Sequence, residues 1–287
     1  MTSFFVRCRP LKLVSFRAGN MPNPTLTILK TVQRMLRSTE LIVFGASCRL
    51  VELEVYFYSD VHPDPFTHRH ELQRTNGRWY FHRMGNSGKA ALAYKNGSFR
   101  GLDISIGGEC EWGGVLIRSI ETPKEIIDGP CLCVNFILDA SGMDSLNALD
   151  NLVSSSSVWA PENPLRLQVT NDNQKEVYRT ARVGLTLKKS SLGSAHAQFL
   201  LSRYRFLTEP HRLRKGRVHL IAAMVADGRS KEEIMQRTGA QLRTVEKYAG
   251  LIREGSNRDL EEFRNVSIGA REICLLHGVL DPEVKNN

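Results

Sequence analysis

The stretch RLVELEVY, residues 49–56, decides how this chain is read. Side chains of a strand point alternately to its two faces, so Val51, Leu53 and Val55 are expected in a core. Glu52, Glu54 and Tyr56 are then expected together on the opposite, open face. An acid beside an aromatic ring suits chemistry: the carboxylate can prepare water for attack, and the ring can stack on a planar ligand. The same pattern also fits a half-buried strand whose outer face is simply solvated.

Outward from this strand, LIVF and the turn-forming Gly45-Ala46-Ser47 complete a hairpin, and further strands are expected over 79–82, 99–106 and 115–120. Upstream, Leu26, Ile28, Leu29, Val32, Met35 and Leu36 recur at helical spacing, which predicts a helix over 24–37 capped by Asn23 with Pro24 as its first residue. Asn96-Gly97 marks a tight turn between two strands. CLCVNFIL, residues 131–138, reads as a buried strand, residues 140–164 as a surface loop or short helix, and ARVGL, residues 181–185, as a return to core strand. The predicted class is α+β, a single mixed, mostly antiparallel sheet domain followed by a small all-α module.

At 287 residues and 41% hydrophobic composition the chain can bury one substantial core and still build that module. A formal charge of +9 suits a polyanionic partner, because lysines and arginines that neutralise phosphates release counterions. The six cysteines include no Cys-x-x-Cys pair, so no metal site is expected and reduced thiols fit best. No apolar run of about eighteen residues and no signal-peptide core is present, so no membrane partner is expected. Residues 1–20 carry Arg7, Arg9, Lys12 and Arg17 without an acid and read as a basic tail rather than an organellar presequence, with a domain start at Met21. The expected organisation is therefore a tail (1–20), a main domain (21–210) and a helical module (211–287).

The module is legible in KGRVHLIAAMVADG, SKEEIMQRTG and LRTVEKYAGLIREG. These predict three helices, with Ser230 and Glu233 as a capping box and Gly239 as a sharp stop. The pattern resembles resolvase-type helix-turn-helix domains. Residues 203–258 hold 13 Lys and Arg against 6 Asp and Glu, and the resemblance turns Arg243, Thr244 and Lys247 toward a DNA major groove. A helical bundle serving only packing or dimerisation is the competing reading.

From about residue 25 to about 210 the chain resembles the alkyladenine (3-methyladenine) DNA glycosylase family. The resemblance rests on RLVELEVY, DPFTHRH (64–70), NGSFRGLDIS (96–105) and GGVLIRSIE (113–121), in the family's order, with GPCLCV and ARVGL as weaker landmarks. It implies a monofunctional glycosylase that flips out a modified base and hydrolyses its N-glycosidic bond, leaving an intact abasic strand, with no metal or organic cofactor. It implies Glu54 as the acid that activates water and Arg118 as the cation holding the water and phosphate region. A structural Glu54–Arg118 ion pair is the alternative. Tyr56 and His68 match walls of the base pocket. His62, His70 and His82 lie close enough to compete with His68.

Two departures concern specificity. Asp103 stands where the family has a base-discriminating asparagine; an ionised acid only accepts hydrogen bonds, which favours an amino-bearing base unless Asp103 is spent on Arg100. In place of a tyrosine-rich hairpin stands LAYKNGSF, where Tyr94 is one candidate wall, while a gap-free reading puts Ala93 at the wall and Asn96 at the intercalating wedge. The roomier pocket suits an enlarged base, such as a substituted cytosine in viral DNA. The expected partner is double-stranded DNA carrying a modified base; the sequence names no protein partner. The expected location is cytoplasmic and nucleoid-associated, or nuclear or organellar in a eukaryote. The competing functions are a catalytically inactive DNA-binding regulator and hydrolysis of another N-glycosidic substrate.

Overall fold

The structure, a computed structural model, describes residues 24–187, 194–264 and 266–280. The expected basic tail, the domain start at Met21 and the Asn23 cap lie outside the described residues. The chain divides into two compact units, one built from residues through Pro63 with Thr67–Lys175, the other from Asp64–Phe66 with residues from Glu176 onward.

The first unit opens with helix α1 (Pro24–Ser38), then strands β1 (Thr39–Val43), β2 (Ala46–Ser59), β3 (His62–Pro63) and β4 (Asn76–Phe81). Helix α2 (Gly88–Leu92) precedes β5 (Leu102–Ile106), β6 (Trp112–Glu121) and β7 (Ile126–Asp128), followed by α3 (Pro130–Ser141), α4 (Leu146–Val153) and β8 (Leu165–Val169). The sheet runs β4-β5-β6-β2-β1-β8 with every neighbouring pair antiparallel, as the α+β reading expects. Helix α1 packs on β2 with Ile28, Leu29, Val32, Met35 and Leu36 buried.

The β1–β2 hairpin closes on two residues, Phe44 and Gly45, both at positive φ (48° and 93°), with Val43 paired to Ala46. That geometry matches the right-handed twist of the strands, and Gly45 adopts it without strain.

Several expectations are corrected. CLCVNFIL lies in helix α3, because Gly129 ends the preceding strand and Pro130 supplies a helical φ at the first position; a short apolar run cannot distinguish strand from buried helix. Asn96-Gly97 is no hairpin turn: α2 and a 3-10 turn at Gly97–Phe99 stand between β4 and β5. Residues 181–185 form no strand, although Ala181 and Arg182 are buried.

The second unit contains β9 (Tyr178–Thr180), α5 (Ser194–Leu200), β10 (Arg205–Leu207) and helices α6 (Arg217–Ala226), α7 (Lys231–Thr238), α8 (Leu242–Gly255) and α9 (Ala270–Leu280). Compactness thus divides the chain at Glu176 rather than at 211, since β9 pairs with β10 and packs on α6. The three expected helices are α6 to α8, and α9 packs on α8 as a fourth. Ser230 caps α7 by accepting from Glu233 N (3.2 Å), while the Glu233 carboxylate pairs with Arg229 (3.0 Å); Gly239 ends the helix at φ 66°. Asp64 and Arg182 form an ion pair (2.6 Å) with both side chains fully buried.

Candidate active site

Register places the candidate residues. Glu54 on β2 stands opposite Leu116 on β6, Leu116 opposite Asp103 on β5, and Asp103 opposite Tyr80 on β4. Directly opposed residues share a face, so Glu54, Leu116, Asp103 and Tyr80 form one row across four strands. The next row, Val55, Val115, Ile104 and Trp79, is buried on the other face. The alternation read in RLVELEVY is therefore real. Its open face is not: Glu52 and Glu54 are both 0% exposed. Alternation reports which side chains share a face and says nothing about a distant segment folding over it.

Part of that cover is the 3-10 turn Glu71–Arg74, which packs on β4, β5 and β6. His70 caps the turn, accepting from Leu72 N through Nδ1 (3.1 Å), and Gln73 within it donates to Asp103 Oδ2 (3.2 Å).

Around Glu54 the expected partners assemble. The Tyr56 hydroxyl donates to Glu54 Oε2 (2.8 Å), and Arg118 Nε lies 3.4 Å from Glu54 Oε1. Arg118 is closer to Glu52, donating from Nε to Oε1 at 2.9 Å, while Ser119 Oγ donates to Glu52 Oε2 at 2.6 Å. An irregular register between Leu50 and Leu53 brings both acids to the one guanidinium. Burial opposes charge on Arg118, but the carboxylates of Glu54 and Glu52 outweigh it and hold the guanidinium above its ordinary range.

Asp103 is spent on neither Arg100 nor solvent. Its Oδ1 is 2.7 Å from His82 Nε2, its Oδ2 takes Gln73, and Arg100 turns to Asn135 (2.8 Å). The rings of His68, His70 and His82 surround Tyr80, with centroids 6.4, 5.2 and 5.9 Å away. Burial pushes the His68 and His70 imidazoles below the ordinary histidine range. Among the described residues, His68 Nε2 and Tyr80 Oη are buried without a well-formed hydrogen bond.

Tyr94 is engaged elsewhere: its hydroxyl donates to Asp150 (2.8 Å), Arg83 lies over its ring at 3.7 Å, and burial with the Asp150 bond pushes its phenol up to about 12. Ala93 and Asn96 are exposed. The sequence reading missed Gln73, Tyr80 and the His82–Asp103 pair. The alternation of WYFH, which sends Tyr80 and His82 to one face, is the signal that could have found two of these residues.

In the second unit, Arg243 and Lys247 are exposed on α8 and Thr244 is half-buried. The α7–α8 connection is the short Gly239-Ala240-Gln241. No group of metal-ligating side chains is assembled among the described residues, and no described helix is long and apolar enough to cross a membrane.

Fold and site together define a mixed α+β protein whose antiparallel sheet carries a buried carboxylate, arginine and tyrosine cluster. The chain belongs to the same family as the uncharacterized protein L759 of Acanthamoeba polyphaga mimivirus, to which it is 32% identical over 166 residues, covering 52% of this chain and 73% of that one. No family model matches.

Proposed function

We propose that the protein is a monofunctional DNA glycosylase that hydrolyses the bond between a flipped, modified base and its deoxyribose. The observation that carries the reading is the single sheet face shared by Glu54, Tyr56 and Asp103, with Arg118 paired to Glu54. Bond cleavage passes through an oxocarbenium-like state, and a carboxylate oriented by a phenol and a guanidinium can take a proton from attacking water. The basic charge and the exposed cations of α8 support a duplex DNA partner, with Arg243, Thr244 and Lys247 toward the groove. The reading extends to two biological uses, repair of damaged bases and excision of bulky modified bases from viral DNA. Because Asp103 already accepts from His82 and Gln73, direct reading of a base amine by Asp103 loses its main support.

A second reading, a catalytically idle DNA-binding regulator, is favoured by the complete burial of Glu54. One experiment separates the two. The protein and its Glu54→Gln variant are incubated with duplexes carrying methylated purines or C5-substituted cytosines and with genomic DNAs of differing modification, and released bases are identified by mass spectrometry. Base release by the parent and at least a 100-fold loss in the variant is the expected result, on the scale of general acid–base catalysis. DNA binding by both proteins with no base released by either establishes the regulator.

A further inference from the structure

We infer that His82, held by Asp103, is the general acid that protonates the departing base, an assignment that rests on the glycosylase reading. Asp103 is 1% exposed and anchors the imidazole by its Nε2, while the His82 side chain remains 22% exposed. One ring nitrogen is thus fixed in the interior, while part of the side chain stays open to solvent. With Asp103 accepting at Nε2, the second nitrogen, Nδ1, carries the exchangeable proton of the imidazolium.

The pair is seated by two glycines. A Cβ at Gly101 would come within 2.5 Å of His82 Nδ1, and one at Gly114 would run into Asp103 Oδ2. Neither position has room for a side chain while the pair keeps this geometry. The groups facing the ring are Asp103 from β5, Tyr80 from its own strand, His68 from the connection before β4, and Lys95, whose backbone NH donates to His82 O at 2.9 Å. Gln73 completes the support through Asp103.

Placement then divides the labour. Glu54 and Asp103 are separated by two strand spacings, roughly 10 Å, on one face. Leu116 stands between the two in the row, and Asp103 holds His82 on the side of the sheet away from Glu54, so acid and base belong to opposite ends of this face, the division that glycosidic hydrolysis by direct water attack requires. As the C1′–N bond breaks, its electron pair leaves with the base, and the Nδ1 proton of His82 passes to a ring nitrogen of that base. The water oxygen bonds to C1′ and its proton passes to Glu54. Solvent then reprotonates His82 and deprotonates Glu54.

A base that already carries a positive charge leaves without protonation; a neutral modified base does not. The test compares single-turnover rates of the parent, His82→Gln and Asp103→Asn on duplexes with a cationic methylpurine and on duplexes with the neutral modified base most readily released, each between pH 5.5 and 9, with thermal melts confirming folding. For neutral bases His82→Gln is expected to lose about 100-fold and to abolish the fall in rate at alkaline pH. Asp103→Asn is expected to slow release of the neutral base while sparing the cationic one, since the amide no longer offers His82 a carboxylate to hold its ring in place. For the cationic base the rate of His82→Gln stays within about 3-fold of the parent, far inside the range of general acid catalysis. Equal losses on both substrates, or an unchanged alkaline limb in folded His82→Gln, overturn the assignment while leaving the glycosylase reading intact if Glu54→Gln is inactive. Absence of base release by the parent on any substrate removes both.

Discussion

Arg118 is the residue on which the buried cluster depends. It faces two carboxylates in a region where Glu52 and Glu54 have no exposed surface. Replacing it with methionine keeps volume and removes the cation, so two buried acids confront each other. Such a loss costs about 3–5 kcal/mol. Urea unfolding of Arg118→Met is expected to show it; a loss below about 1 kcal/mol would mean that the cluster does not depend on this cation. Tyr56 and Ser119 each add a hydrogen bond to the acids, so their removal costs less than removal of the charge. Glu54 and Arg118 were both legible in the sequence. Their burial was not, because it depends on side chains and turns far along the chain.

At the scale of the element, three glycines separate packing from surface. In the α8–α9 pair a Cβ at Gly255 would strike Leu275 O, and one at Gly278 would strike Ile252 O, so both allow backbones to approach closely. Gly250, in the middle of α8, meets nothing within 4 Å and shares a stripe with Arg243 and Lys247 at helical spacing. A glycine inside a helix costs up to about 1 kcal/mol relative to alanine. Gly250→Ala is therefore expected to stabilise the protein by up to that amount while weakening duplex DNA binding through the crowded stripe. Calorimetry and fluorescence anisotropy read the two effects, and unchanged DNA affinity would remove Gly250 from the proposed DNA-binding surface. Gly255→Ala is the contrasting case, expected to melt earlier. The helices α6, α7 and α8 were readable from capping and periodicity. Helix α3 was not, because CLCVNFIL satisfies a buried helix and a buried strand equally well.

For the whole molecule, acid stability is set in part by neutral histidines. His277 is 6% exposed, and burial, aided by Arg203, depresses it from 6.5 to about 4. Between those values the unfolded chain binds a proton that the folded chain refuses, so stability is full above about pH 6.5 and falls as pH drops toward 4. The depression corresponds to about 3 kcal/mol, and His68 and His70 shift in the same direction. Urea midpoints measured from pH 7 to 4 are expected to fall, and to fall less steeply in His277→Met; parallel profiles would contradict the assignment. By itself the sequence determined the local terms: the helix over 24–37, which the structure extends by one residue to Ser38, the hairpin strands, the α+β class, and which side chains of β2 share a face, because turns and periodicity act between near neighbours. Tertiary structure alone decided that the acid-bearing face is covered, that Asp103 holds His82 instead of Arg100, and that residues from Glu176 pack with the helical unit. These outcomes turn on contacts between segments distant in the chain, and a strand's own periodicity carries no record of what will be folded against it.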